Sequence, residues 1–533
     1  MGYSAIRIPY RETRSFSSLV VDYLDHHPSL KGFSSHESSL RGIQSCIEER
    51  RRCATDRALL VKRLTAQYEA VEMPAKTKEQ LALLSKPTCF TVTTAHQNNL
   101  FSGPLYFTYK ILHAIALAND LKKKIPDCDF VPVFYMGTED ADLAELDHVH
   151  IGSEKIQWKT SQTGAVGSMK VDANLLTLID RLEGQLGVFP HGAEWVQLLR
   201  NSYAEGLTLA QATFRLVHTL FASYGLLVLL PDDKELKRSF APILKKELLE
   251  QFVVPLVQQP ARALAAAGYK VQASPRAINL FYLQEGSRER IEKQGDQWLV
   301  HGTSLTFSQE TLLKELDQHP EHFSPNVLLR GLYQCTLLPD VAFIGGGAEI
   351  AYWLQVKELF AAANVPMPVL VLRNSFLLTE STQLKRLGPL GLSPEQLFTP
   401  IDELMQVLVG PSMLAQRDLG KERAVLHQLY QQIQQEAGQL DATLMAHVAS
   451  LEKRAQQGLE ALEKKLWRVI KRKHQEQQMQ LQGIKAQWFP GDQLQERHQH
   501  LGYFYAQWGK ELIDQLLANS QGLTQEFTIL NLP

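Results

Sequence analysis

Two polar segments of the sequence carry side chains that can take part in general acid–base chemistry. His96 and Gln97 directly follow one apolar, β-branched run, and Glu139, Asp140 and Asp142 directly follow a second. An imidazole, a carboxamide and three carboxylates can bind a charged substrate and exchange protons with it. Each segment taken alone is equally explained as a polar loop whose side chains cap neighbouring helices. Their joint occurrence favours one site that contains both.

These segments must be positioned by the runs that precede them, residues 89–94 and 130–136. A segment with a helical pattern separates the two runs. Ser102 is predicted to cap this helix, Pro104 lies near its first position, and the lysines at 122–124 suit its last turn. A strand–helix–strand unit of this kind is a parallel crossover, which brings the carboxyl ends of both strands to one edge of a sheet. The two polar segments are therefore predicted to converge on that edge.

Two further loops follow apolar runs later in the chain. Residues 341–344 lead into three glycines at 345–347, and residues 369–372 lead into Arg373-Asn374-Ser375. A glycine-rich turn lets a ligand approach the backbone closely, but this one matches neither GxGxxG nor a P-loop and is a weak phosphate signal. The alternative is a tight turn that requires positive φ. The arginine of the second loop can hold a carboxylate or a phosphate with two hydrogen bonds.

Five strand-like runs are each followed by a polar or glycine-rich loop, and they are residues 89–94, 130–136, 226–230, 341–344 and 369–372. Their alternation with helices predicts an α/β fold with a doubly wound parallel sheet and small insertions after the second and third strands. The second insertion is predicted to be antiparallel, with strands at 269–272, 277–283 and 298–300. Residues 1–87 are predicted to be mostly helical.

From about residue 403 the composition shifts to Gln, Glu, Lys, Leu and Ala. Apolar residues recur at steps of three and four in a seam from Leu444 to Val469, and a shorter seam runs from Leu426 to Leu440. These seams predict a long antiparallel coiled coil, with Gly438 at the turn between its helices and self-association through its apolar stripe. The polar segment that follows the coil is predicted to return to the core.

The second helix of the predicted coil carries a basic face that includes Arg468 and Arg472. Such a face is usually solvated. The alternative is an anion pocket where the coil meets the core, which makes Arg468, Arg472, Gln495 and Arg497 candidate nucleotide-binding residues.

The 533 residues carry a net charge of −2, with 44% hydrophobic and 21% charged side chains. This composition predicts a globular protein of two to four domains and gives no basic character that points to nucleic acid. Neither a membrane span nor the apolar region of a signal peptide is visible. The five cysteines form no CxxC pair, which predicts reduced thiols and a cytoplasmic location. No metal ligands are assigned.

The chain resembles one family, the cysteine ligases of bacillithiol biosynthesis known as BshC. The matching motifs spread in order over most of the chain, and they are His96-Gln97 with Phe101-x-Gly103-Pro104-x-Tyr106-x-x-x-Lys110, Thr138-Glu139-Asp140-x-Asp142, Gly345-Gly346 with Glu349-x-Ala351-Tyr352-Trp353, Arg373-Asn374-Ser375, and Leu494-Gln495-Glu496-Arg497. Each motif alone is weak, but jointly they are specific. Ala141 stands where the family usually has a histidine, and Gly347 stands where it often has a proline.

The resemblance implies a Rossmann-like core similar to that of nucleotidyl transferases, two connecting subdomains and a coiled coil that mediates dimerisation. It also implies a reaction that adds cysteine to the amino group of glucosaminyl malate to form an amide. A free carboxylate is a poor acyl donor, so activation by a nucleotide is expected, with ATP or ADP as the candidate. Asp140 or Asp142 would then accept the proton of the amine, and His96 with the Gly345 backbone would stabilise developing negative charge.

The predicted catalytic residues are therefore His96, Asp140 and Asp142, and the predicted substrate-binding residues are Gln97, Tyr106, Glu139, Gly345, Gly346, Arg373, Asn374 and Ser375. The predicted domains are a core at 1–147, 216–255 and 326–402, insertions at 148–215 and 256–325, a coiled-coil arm at 403–487, and a returning segment at 488–533. Two alternatives stay open, a nucleotidyl transferase that acts on another small substrate and a ligand-binding scaffold without catalysis. A scaffold needs no converging histidine, carboxylates and arginine, which favours an enzyme.

Overall fold

The structure is a computed structural model that describes residues 2–152, 154–409 and 418–533. Its strands are β1 (Ser4–Pro9), β2 (Cys89–Gln97), β3 (Asp129–Gly137), β4 (His148–Ile151), β5 (Glu154–Gln157), β6 (Leu227–Leu229), β7 (Leu280–Gln284), β8 (Ser287–Gln294), β9 (Gln297–Val300), β10 (Thr306–Ser308), β11 (Phe323–Pro325), β12 (Asp340–Gly345), β13 (Val369–Leu372), β14 (Phe376–Glu380) and β15 (Glu526–Leu532).

The α-helices of the described residues are α1 (Ser18–Leu24), α2 (Leu40–Arg51), α3 (Arg57–Tyr68), α4 (Ala75–Leu83), α5 (Leu105–Lys124), α6 (Leu143–Leu146), α7 (Ala173–Leu186), α8 (Gly192–Ser202), α9 (Leu209–Phe221), α10 (Lys234–Glu250), α11 (Val253–Ala266), α12 (Gln309–Gln318), α13 (Val327–Leu337), α14 (Gly347–Trp353), α15 (Lys357–Ala362), α16 (Ser381–Lys385), α17 (Ile401–Val409), α18 (Gly420–Leu440), α19 (Leu444–Lys473), α20 (Gln475–Trp488), α21 (Gln495–His498) and α22 (Leu501–Asn519). None of these helices combines the length and the apolar character that a membrane crossing requires.

A five-stranded parallel sheet forms the centre of the fold, in the order β13-β12-β2-β3-β6. The chain builds it from β2 to β3 and β6 on one side and then from β12 to β13 on the other, so the sheet is doubly wound as predicted. All five predicted strands are confirmed, and their ends differ from the prediction by at most three residues. The direction of winding reverses between β2 and β12, and sheets of this type bind ligands in the crevice outside the carboxyl ends of the strands at that point.

Helix α5 connects β2 to β3 and is buried along most of its length. Ser102 does not cap it, contrary to the prediction. The N-cap is Pro104, and the next amide, Leu105 N, donates to Gln499 O at 2.8 Å. Ser102 belongs to the preceding tight turn, where its φ is 79°. The first amide of the helix is therefore satisfied by a distant backbone carbonyl, which local sequence cannot indicate.

A second sheet of three strands, in the order β1-β15-β14, joins distant parts of the chain. Strand β15 is antiparallel to β1 and parallel to β14. Helices α1–α4 lie in the region predicted to be mostly helical, but the prediction missed β1. A single short strand has a weak periodic signal, and the partner of β1 lies at the other end of the sequence.

Both insertions contain small antiparallel sheets. The first has the hairpin β4–β5 followed by α7–α9, and the second has a five-stranded sheet in the order β10-β9-β8-β7-β11. The predicted strand at 269–272 is wrong, because these residues adopt no regular structure. The Gln272 amide donates to Gln355 Oε1 at 3.1 Å. A side-chain acceptor thus replaces the neighbouring strand that the prediction required.

The arm consists of α18 and α19, which run antiparallel as predicted, and of α20. Arg423 on α18 pairs with Glu460 on α19 at 3.1 Å. The turn lies at 441–443 and not at Gly438, which stays inside α18. Asp441 Oδ1 accepts a hydrogen bond from Thr443 N at 2.9 Å, and such an Asx turn reverses the chain without glycine. Large apolar side chains of both helices remain more than a third exposed, among them Leu429, Ile433, Leu444, Leu451, Leu462 and Val469.

Candidate functional site

A cavity of about 580 Å³, here called the rim cavity, opens at the carboxyl ends of the five central strands. Residues of the second insertion, from β7, β8 and β11, line it from one side. The cavity therefore lies at the edge of the sheet where the polar segments were expected to converge. The predicted site residues that line it are His96, Gln97, Tyr106, Glu139, Asp140, Gly346, Arg373 and Arg497.

Asp140 is the half-buried carboxylate of the rim cavity, and Gln97 holds it in place. Gln97 Nε2 donates to Asp140 Oδ2 at 2.5 Å, and Asp142 N donates to Asp140 Oδ1 at 3.2 Å. The side chain of Asp142 is exposed, does not line the cavity and makes no capping bond to α6. Of the two acidic residues predicted to be catalytic, the structure places only Asp140 in the cavity.

Glu139 lines the same cavity, but both of its carboxylate oxygens already have donors. One oxygen pairs with Lys237 Nζ, and the other accepts from Ser324 Oγ at 3.0 Å. Lys237 is fully buried and also donates to Phe323 O at 2.7 Å. Glu139 thus connects the loop after β3 with α10 and with β11 of the second insertion. Both carboxylate oxygens of Glu139 are thus used in contacts within the protein, and sequence reasoning missed Lys237 because its partner lies far away in the chain.

The imidazole of His96 packs against Tyr106, with ring centroids 5.2 Å apart. Burial lowers the pKa of His96 well below its usual range, and the nearby cations Lys110, Arg373 and Arg330 lower it further. The ring is therefore neutral at neutral pH. Its Nε2 atom is buried and has no hydrogen-bond partner among the described residues. A neutral imidazole with an unused nitrogen can offer either a donor or an acceptor to a ligand.

Lys110 is a cavity residue that the sequence analysis quoted in a motif but did not assign to the site. Its ammonium group pairs with Glu349 and donates to Ala95 O at 2.9 Å. Burial lowers the pKa of Lys110, against the opposing effect of Glu349, and Arg373 and Arg330 lower it as well. Tyr106 and Lys110 are four residues apart on α5, so they share one face of the helix. That spacing is the feature of the sequence that could have indicated Lys110 as a site residue.

The glycine-rich loop after β12 is held by the same glutamate. Gly346 N donates to Glu349 Oε2 at 2.8 Å, and Gly345 O accepts from Arg373 N at 2.8 Å. The alternative interpretation was a tight turn that requires positive φ. None of the three glycines at 345–347 has a positive φ, so that interpretation is wrong. Gly346 lines the cavity, whereas Gly345 is buried in the strand end beneath it.

Arg330 is a second cavity cation that the sequence analysis missed. It donates to the hydroxyl of Tyr352 at 2.6 Å, and its guanidinium lies 5.7 Å from the ring centroid of Tyr135. It is the single charged residue of α13, whose other residues are mostly apolar and buried. A single charged residue in an otherwise apolar helix could have indicated Arg330 as a site residue, because a buried arginine requires polar partners.

Arg373 makes a bidentate contact with a carboxylate, as predicted for an arginine. The carboxylate is that of Glu496 in this chain and not that of a ligand. The two terminal nitrogens of Arg373 donate to Glu496 at 2.9 and 2.7 Å, and its guanidinium lies 5.3 Å from the ring centroid of Tyr106. Ser375 Oγ also donates to Glu496, at 3.2 Å, and Asn374 Oδ1 accepts from Gln521 N at 2.9 Å. Asn374 and Ser375 are buried and do not line the cavity, so they tie the returning C-terminal segment to the core.

The four candidate nucleotide-binding residues are not brought together. Arg468 and Arg472 are exposed on α19 and do not line the rim cavity. Gln495 exchanges hydrogen bonds with the backbone of Leu378 at 2.8 and 2.9 Å, which is a structural role, and it lines a separate cavity of about 530 Å³. Arg497 alone reaches the rim cavity.

The lining of the rim cavity carries more positive than negative side chains. Its three carboxylates are Glu139, Asp140 and Glu349, and its six cations are Lys110, Arg276, Arg288, Arg330, Arg373 and Arg497. Such an excess inside a concave, partly desolvated surface attracts anionic ligands. Asp140 is the carboxylate of this set that forms no ion pair among the described residues, and its hydrogen bonds come from an amide side chain and a backbone amide.

Comparison with known proteins identifies two matching family descriptions. Residues 1–374 match "Bacillithiol biosynthesis BshC, N-terminal Rossmann-like domain", and residues 376–532 match "Bacillithiol biosynthesis BshC, C-terminal coiled-coil domain". A relative from Flavobacterium johnsoniae is 37% identical over 98% of this chain and 99% of its own length. Relatives from Cytophaga hutchinsonii and Flavobacterium psychrophilum are each 36% identical, over 94% and 98% of this chain and the same shares of their own lengths. All three relatives carry the name "Putative cysteine ligase BshC".

Proposed function

The chain belongs to the BshC family, and on that premise we propose that it is a ligase that joins the carboxyl group of cysteine to the amine of glucosaminyl malate, forming an amide. The observation that carries this proposal is the charge of the rim cavity, with six cations against three carboxylates. The malate part of the acceptor has two carboxylates, and an activated cysteine carries a phosphate. A cationic cavity with one available carboxylate suits these two anions and the single ammonium group of the sugar.

Asp140 is the proposed general base for the sugar amine. An amine is protonated at neutral pH, so a carboxylate both attracts it and can remove its proton. Gln97 keeps one oxygen of Asp140 in a fixed direction through its hydrogen bond at 2.5 Å. Ala141 stands where the family usually has a histidine between the two acids, and its methyl group cannot accept a proton. Asp140 or water is therefore the proposed proton acceptor.

His96 and Lys110 are the proposed donors for the negative charge that develops on the attacked carbonyl oxygen. The neutral imidazole has an unused ring nitrogen, and Lys110, which pairs with Glu349, lies close enough to lower the pKa of His96. Fixed donors in a water-poor cavity stabilise an oxyanion more strongly than water does. Glu349 holds Lys110 in place and thereby acts as a positioning residue.

The cysteine carboxylate must be activated before the amine can attack it. In the proposed sequence, a carboxylate oxygen of cysteine attacks a phosphorus atom of ATP, and pyrophosphate or ADP leaves. The amine nitrogen then attacks the carbonyl carbon, the bond from carbon to the phosphate oxygen breaks, and AMP or phosphate leaves. Arg276 and Arg497, cations of the cavity lining, would hold the phosphate groups.

The test is a mass-spectrometric assay of the full-length protein with isotope-labelled cysteine and glucosaminyl malate, with and without ATP. We expect a cysteine-dependent amide product, with AMP or ADP released in equal amount if ATP is the activator. Glucosamine without malate is the matched control substrate, and it should react poorly because it lacks the two carboxylates. Absence of the amide in every arm would overturn the proposal, and transfer of a nucleotidyl group to another acceptor would support the transferase alternative instead.

A further inference from the structure

We propose that His319, Glu321 and His322 form a binding site for a divalent transition-metal ion of the zinc class. The three residues lie between α12 and β11 in the second insertion, and Lys234 of α10 contacts them through Glu321. Each offers one ligand atom, and these atoms all lie within 4.8 Å of one another. Two imidazoles and one carboxylate are a ligand set that zinc accepts, with the remaining position left to water.

The surroundings of His322 prepare it for this role. Glu315 Oε1 lies 2.7 Å from His322 Nδ1, and the hydroxyl of Tyr282 lies 3.2 Å from the same nitrogen. A carboxylate that accepts the Nδ1 proton fixes the tautomer and leaves Nε2 as the free ligand atom. Histidines that bind metal ions are usually oriented by a carboxylate in this way. The ring of His319 is parallel to that of His322 within 11°, at a centroid distance of 5.0 Å.

Glu321 supplies an independent indication. Its Oε1 atom lies 3.3 Å from His319 Nδ1, whereas its Oε2 atom is buried and has no hydrogen-bond partner among the described residues. A buried carboxylate oxygen without a donor is costly, and a metal ion would remove that cost. Tetrahedral zinc holds its ligand atoms about 3.3 Å apart, so the half-buried side chains must close inwards by at most about 1.5 Å. Rotations of the three side chains can provide this movement.

Lys234 is the cation that pairs with Glu321, and its charge opposes a metal ion at this site. Its Nζ atom lies 3.2 Å from Glu321 Oε1, and its side chain is 44% exposed. A lysine with that exposure can swing into solvent when a cation of higher charge binds. Removal of the lysine charge should therefore tighten metal binding. A purely structural His–Glu cluster predicts no such gain.

The site adjoins the segment that reaches the rim cavity. Phe323 O accepts from Lys237, and Ser324 Oγ donates to Glu139, immediately after His322 in the sequence. A metal ion would therefore stabilise the segment that contacts Glu139. This inference does not depend on the proposed ligase activity.

The test is a titration of the full-length, tag-free protein with zinc chloride, followed by calorimetry and by competition with a chromophoric chelator. We expect one zinc ion per chain, with neither Mg²⁺ nor Ca²⁺ bound at the same site. The double variant His319→Ala/His322→Ala should lose affinity by about tenfold or more, since even outer-shell changes cost about tenfold to a hundredfold. Lys234→Gln should bind zinc more tightly than the unchanged protein.

His301→Ala is the matched control, because His301 is an exposed histidine of the same insertion. Its zinc affinity should not change. If the double variant does not fold, Glu321→Gln keeps the shape of the cluster and should still weaken binding by about tenfold. Failure of the unchanged protein to bind zinc, or an affinity that neither the double variant nor Glu321→Gln lowers, would overturn the proposal.

Discussion

Lys237→Met should destabilise the protein strongly, because it removes the only ion pair that Glu139 forms among the described residues. The lysine side chain is fully buried, and that of Glu139 is 12% exposed. Breaking a buried ion pair by removing one partner typically costs about 3–5 kcal/mol, since the other charge remains without compensation. The slight exposure of Glu139 lets water reach it, so we expect about 3 kcal/mol.

The measurement is urea unfolding of the full-length variant at neutral pH. Lys234→Met is the matched control on the same helix, one turn earlier. Its pair with Glu321 spans 3.2 Å, and the two side chains are 44% and 27% exposed. Exposed pairs contribute at most about 1 kcal/mol, so this control should change the midpoint little.

The double variant Lys237→Met/Glu139→Gln tests the reasoning directly. It leaves no isolated charge, and the carboxamide introduced by Glu139→Gln can still accept the hydrogen bond from Ser324. We expect it to be at least about 1.5 kcal/mol more stable than the sum of the two single changes predicts, a coupling typical of residues in contact. A cost below about 1 kcal/mol for Lys237→Met, or simple additivity in the double variant, would refute the view that this pair is a buried, compensated one.

Asp140→Asn should leave a folded protein with turnover reduced at least about a hundredfold in the amide assay, whereas near-normal turnover with a lower melting temperature would reduce Asp140 to a structural role. Gly346→Val should weaken ligand binding with little change in melting temperature, because an added Cβ meets its nearest atoms at 3.5 Å or more; equal losses of binding and stability would contradict this. Changing Leu451 and Leu462 to Asp should yield monomers by light scattering, and an unchanged dimer mass would exclude association through that seam. Burial lowers the pKa of His500 to about 4, and an unfolded histidine titrates near 6.5, so protons favour the unfolded chain. The free energy of unfolding should therefore fall as the pH drops from about 6.5 to 4, by up to about 1.4 kcal/mol per pH unit for this residue, and His500→Gln should show a shallower fall.

The sequence predicted the central sheet and the position of the rim cavity because both follow from local signals. An apolar run marks each buried strand, and the polar residues after it must lie at the carboxyl edge of a parallel sheet. His96, Gln97 and Asp140 were found in this way. The antiparallel arm was also predictable, since its seam repeats over many turns.

The parts that the sequence did not predict depend on contacts between distant residues. The sequence around Lys237 does not indicate that this lysine pairs with Glu139. The sequence around Glu496 does not indicate that this glutamate pairs with Arg373. The Gly438 turn and the Ser102 cap were wrong because another group, Asp441 in one case and Gln499 in the other, performs the task. Residue type indicates which contact a side chain can make, but only the fold determines its partner.

The position of β15 between β1 and β14 has a consequence for how the chain folds during its synthesis on the ribosome. Strand β1 leaves the exit tunnel early, yet the edge it presents stays unpaired until β15 has been synthesised. The ion pair between Arg373 and Glu496 likewise cannot form early, because Glu496 is synthesised more than a hundred residues after Arg373. The nascent chain can therefore form its central sheet before β15 and Glu496 are synthesised, whereas the three-stranded sheet and the Arg373–Glu496 pair can form only afterwards.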